Sequence, residues 1–91
     1  MTYSSEDRIV KLRQNVKNFR EYGIEAAGKI LGELSDKVKK LDAAVGKEDV
    51  KAEEIQPIVN SIGPSLESFQ TVLRMARHYE RQIWNLVHLG S

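Results

Sequence analysis

Residues 5–46 read SEDRIVKLRQNVKNFREYGIEAAGKILGELSDKVKKLDAAVG. Apolar side chains fall here at Ile9, Leu12, Val16, Phe19, Ala26/Ala27, Ile30, Leu34, Val38, Leu41 and Val45. The steps are threes and fours once Gly23 is counted as the missing member. Such steps place every member on one flank of an α-helix, and no strict alternation of the strand type competes with them. Ser4 or Ser5, ahead of Glu6 and Asp7, supplies an N-cap with carboxylates at the positive end of the helix dipole. Lys39 and Lys40 suit the negative end, and Gly46 is expected to terminate the helix in the left-handed conformation. Gly23 leaves two outcomes open. It ends a first helix, with Ile24 folding back onto Phe19, or the helix runs through it, because the stripe keeps its phase at 100° per residue.

Working outward, Gly46-Lys47-Glu48-Asp49 reads as a polar turn. A helix is expected at about 51–62, with Pro57 in its first turns or at a kink. Another is expected at about 64–89, opened by Pro64 after Gly63. Its stripe is Leu66, Phe69, Val72/Leu73, Ala76, Tyr79, Ile83 and Leu86/Val87. Ile55, Val59 and Ile62 join it in phase, so one kinked rod is the alternative.

The expected fold class is therefore all-α: a helical hairpin or antiparallel helix bundle, forming one domain over residues 1–91 with helices about 5–45, 51–62 and 64–89. Two continuous arms of about 60 Å each share one apolar seam and enclose no core. A dimeric four-helix bundle follows, and breaks at Gly23 and Gly63-Pro64 would give a monomeric four-helix bundle instead. Ninety-one residues without cysteine lie near the lower limit for folding without staples, which favours a partner subunit.

Composition narrows function mainly by exclusion. Fourteen basic against 13 acidic residues is no basic excess of the kind that nucleic-acid binders usually carry. No apolar run reaches the ~18 residues of a membrane span. The N-terminal residues show no basic segment leading into an apolar stretch, so a cytoplasmic protein without membrane contact is expected.

The candidate sites lie mostly on the last helix. Arg74, Arg77 and Arg81, spaced i, i+3 and i+7, form either a cationic ridge for phosphates or an acidic partner, or a solvated face. Trp84 at the stripe's edge is a core or homodimer-seam residue, or an exposed anchor for a partner. Glu80 falls by angle within the apolar arc and is the candidate buried carboxylate. It is expected to pair with Arg20, Lys37 or a partner-chain cation, or else to act as an acid in a bundle core. His78 and His88 stand ten apart, which is wrong for a shared metal, and no metal or cofactor is expected. Gly23, Ala26, Ala27, Gly28 and Gly32 make a small-residue zone where a second helix can approach closely, at a cost in helix stability.

In size and hairpin plan the chain is similar to small secreted helical-hairpin proteins with a Trp-x-Gly turn. Its own turn, Val45-Gly46-Lys47-Glu48, lacks that motif. In length it also resembles the small all-helical chorismate mutases, but its first helix has an apolar face where those enzymes need inward cations. No site is carried over from either. The expectation is a non-enzymatic protein–protein interaction module, of adaptor, chaperone, inhibitor or immunity type, working as a homodimer. The alternative is a nucleic-acid binder using the basic N-terminal arm and the Arg74/Arg77/Arg81 ridge.

Overall fold

The computed structural model describes residues 5–88. Ser4 as a cap, and the last helix's extension to Leu89, lie outside them. The elements are α1 (Ser5–Asn18), a π-helical stretch (Phe19–Glu25), α2 (Ala26–Val45) and α3 (Ala52–His88). No strand occurs among the described residues. The all-α class is thus correct, with two helical runs rather than four short helices.

Gly23 neither breaks the first run nor sits in a regular α-turn. It lies inside the π-helical stretch, and no described glycine has a positive φ. The reason is arithmetic. Gly23, Ile30, Lys37 and Ala44 are covered at seven-residue spacing, and Asn15 precedes Gly23 by eight. Leu12, Phe19, Ala27, Leu34 and Leu41 repeat this pattern, with the eight-residue step between Phe19 and Ala27. The wider i→i+5 turns of a π-helix absorb one surplus residue, so the apolar flank stays in line across it.

Gly46 also departs from expectation. Instead of turning left-handed, it donates its N–H to the Asp42 carbonyl at 3.0 Å, which closes one more helical turn before the Gly46–Asp49 turn. The expected break at Gly63-Pro64 is absent as well. α3 runs through Pro57 and Pro64, although an interior proline removes a backbone donor and crowds the preceding turn. Its heptads carry no surplus residue: Ile58, Ser65, Val72, Tyr79 and Leu86 are covered, as are Ile55, Ile62, Phe69, Ala76 and Ile83.

The chain divides into two units, one of Met1–Ala27 with Val72–Ser91 and one of Gly28–Thr71. In the first, Gly23 and Ala76 are buried between their helices; in the second, Leu34, Ala44 and Ser65 are. No described side chain is completely buried. These helix pairs have a seam and no enclosed interior.

Candidate functional site

In the unit of residues 28–71, α2 lies along the first part of α3. Leu31, Val38 and Val45 on α2, and Val59 and Leu66 on α3, are all exposed, at seven-residue spacing on each helix. Each of these lines runs about 80° round its helix from the covered one. The offset has the same sign on both helices, and on helices of opposite direction that brings both lines to one side of the pair. Val38, Leu41, Val45, Ile55 and Val59 accordingly line one apolar groove with room for about 500 Å³, with Asp42 and Lys39 beside them.

Lys37 crosses the seam of this unit. It is half-buried, and its Nζ donates to the Ser61 carbonyl at 2.8 Å and to Ser65 Oγ. The Ser65 hydroxyl contacts the same carbonyl at 3.5 Å, and Ser61 Oγ donates to the Ile58 carbonyl at 2.7 Å. The ammonium thus ties α2 to the Ser61–Ser65 turn of α3. Sequence reading placed Lys37 only as a partner for Glu80. Its place between Ile30 and Ala44 in the covered heptad was the signal for a seam residue.

In the other unit the helices meet through small residues. A Cβ built on Gly23 would lie 3.0 Å from the Ala76 Cβ and 3.2 Å from its Cα, whereas Gly28 and Gly32 have open space around them. Close helix approach in the small-residue zone therefore holds at Gly23. Leu73, Trp84 and Val87 are exposed on α3, and so is Glu80. Burial of Glu80 within the chain is overturned. The covered line runs through Val72, Ala76, Tyr79, Ile83 and Leu86, and Glu80 stands about 80° round the helix from it, on the exposed line. Arg20 pairs with Glu25 at 3.8 Å, and Lys37 bonds the two serines.

Arg77, Glu80, Arg81, Trp84 and Asn85 line a shallow depression of about 260 Å³ on one flank of α3. Arg74 is exposed but lies outside that lining. The Trp84 indole stacks on His88, with ring centroids 4.1 Å apart and planes at 18°, and His88 Nδ1 donates to the Trp84 carbonyl at 2.9 Å. The stack fixes the indole against His88 with half its surface in solvent. Trp84 is no core residue of the single chain.

Among the described residues no three His, Asp or Glu side chains converge to hold a metal, and no helix is long and apolar enough to cross a membrane. What these surfaces offer is contact: an apolar groove in one unit, and an aromatic and guanidinium patch in the other. Set against family models, curated proteins and solved structures, the chain matches none of them.

Proposed function

We propose that the chain is a non-enzymatic protein–protein interaction module that works as a homodimer, its helices completing a four-helix bundle across two copies. The observation that carries this reading is the set of large apolar side chains left exposed at heptad spacing: Leu31, Val38 and Val45, Val59 and Leu66, Leu73 and Val87. Isolated exposed apolar residues need no explanation, but regular lines of them mark a docking face. The areas agree. The chain exposes 7111 Å², whereas a folded monomer of its 10.3 kDa exposes about 5,400 Å². The surplus of about 1,700 Å² is what one protomer of an obligate homodimer covers. Light scattering coupled to size exclusion tests this directly, with twice the chain mass expected at micromolar concentration. A monomer at high micromolar concentration overturns it.

A second reading draws on Arg77, Arg81 and Trp84 sharing one depression, since guanidinium and indole groups together suit phosphates and stacked bases. It predicts a band shift with single-stranded or duplex probes that weakens steeply with salt. No binding at low salt removes it.

A further inference from the structure

Resting on the homodimer reading, we infer that the second copy packs head to tail: the Trp84 patch of each chain sits on the apolar groove of the other, so unlike units face each other. Three observations point this way. The first is charge. The unit of residues 1–27 and 72–91 carries eight Lys and Arg against five Asp and Glu, and the unit of residues 28–71 carries six against eight. Like-on-like pairing stacks the basic units together and the acidic units together. Head-to-tail pairing sets each against its opposite, which complementary interfaces favour and which suppresses the alternative.

The second is Glu80, the one carboxylate in the exposed α3 line Val59, Leu66, Leu73, Glu80, Val87. In a like-on-like bundle two Glu80 carboxylates enter the same layer. Inverting the partner about Leu73 sets Glu80 in a layer with the partner's Leu66, and Val87 with the partner's Val59. The two carboxylates then stand about 20 Å apart along the helix, beyond the screening length at physiological salt.

The third is fit. Trp84 projects a half-exposed indole between Arg81 and Asn85. Inversion about Leu73 sets Trp84 level with the partner's Ile62, which lies beside Val38 at one end of the groove. The groove is apolar, open and large enough for an indole. Trp and Arg are the residues that most often anchor an interface. Because each chain carries both knob and groove, the contact forms twice in one dimer.

The cysteine-free chain makes the test direct. Single-cysteine full-length variants Gln14→Cys and Ala52→Cys, both exposed and one in each unit, are labelled separately with donor and acceptor dyes. Circular dichroism and sedimentation confirm that each is folded and dimeric. Unfolding and refolding donor Gln14→Cys together with acceptor Ala52→Cys should give strong energy transfer, and donor Ala52→Cys with acceptor Ala52→Cys, about 60 Å apart along the helix, much weaker transfer. The reverse ranking in a dimer overturns the head-to-tail arrangement and leaves the homodimer standing. A sedimentation result of monomers overturns the homodimer itself, and this inference with it.

Discussion

The run from Ser5 to Val45 and the helix from Ala52 to His88 carry the same pair of lines, one covered and one exposed, yet they keep those lines straight by different means. α3 has two prolines inside it and an uninterrupted seven-residue spacing. The first run has no proline and one surplus residue, taken up in the π-helical stretch Phe19–Glu25. Phase therefore follows the count of residues per turn and not the presence of helix breakers. A proline costs a hydrogen bond locally, while one residue too many turns everything beyond it by about 100°.

Single-residue deletions should separate the two regions most sharply. Removing Tyr22, exposed within the π-helical stretch, restores seven-residue spacing. The segment should become ordinary α-helix with the covered line still on the seam, so that stability is largely kept. Removing Gln70, exposed on α3, swings one half of its covered line off the seam. Arg77, Glu80 and Trp84 turn into the places of Ala76, Tyr79 and Ile83, so that Arg77 meets Gly23 and a carboxylate enters the seam. Overpacking alone costs about 1–3 kcal/mol at each such contact, a large share of the stability of a small domain. Thermal melts followed by circular dichroism should show a cooperative transition for the Tyr22 deletion and none for the Gln70 deletion. Equal damage from both would show that the surplus residue is not what the π-turns accommodate.

The two units contrast in a second way. One brings its helices together at Gly23 against Ala76, almost backbone to backbone; the other spans its seam with the long Lys37 side chain. Gly23→Leu forces four heavy atoms into a space that a lone Cβ already overfills against Ala76. A loss of about 3 kcal/mol is expected in urea unfolding, the upper end for overpacking. Gly23→Ala should cost less, and Ala76→Gly in the same chain should recover part of it. A neutral Gly23→Leu would mean the helices separate there at no cost.

Much of this was legible in residue spacing. The stripe from Ile9 to Val45 and that from Leu66 to Val87 give the helices and the turn at Gly46, but not which of their members are covered: Ile9, Val16, Val38, Val45, Leu66, Leu73 and Val87 are exposed. Glycine and proline misled because their local preferences are weak beside seam packing. Gly46 completes a turn instead of reversing, and Pro64 is carried inside a helix whose apolar residues on both sides stay in phase. Glu80 was misplaced for a different reason. Apolar residues on α3 cover an arc wide enough for two lines, and only the neighbouring helix decides which line is covered. Lys37 was hidden by its type, since a lysine in a covered heptad looks like an interruption until the serines of α3 appear opposite it.

That lysine gives a smaller effect. Lys37→Met keeps the length of the side chain and removes the donor to the Ser61 carbonyl and to buried Ser65. About 1–2 kcal/mol should be lost, the net worth of hydrogen bonds from a charged donor, and Lys37→Met with Ser65→Ala should lose less than the sum of the two single variants, because the two side chains share one hydrogen bond. Strict additivity in the denaturation cycle would mean the lysine contributes only its apolar stem.

Gly32→Ala should give the smallest change, and of opposite sign to Gly23→Ala. Gly32 is exposed, a Cβ there meets nothing within 4 Å, and by angle it points away from both the covered and the exposed apolar lines of α2. The new methyl group therefore touches no seam, and its effect is confined to the backbone freedom that glycine loses on entering a helix. A gain of about 1 kcal/mol follows, read as a higher melting temperature with the apparent mass unchanged. The same substitution thus distinguishes a glycine kept for contact from one that contact does not require. A loss of stability at Gly32 would mean that something packs on that face as closely as Ala76 packs on Gly23.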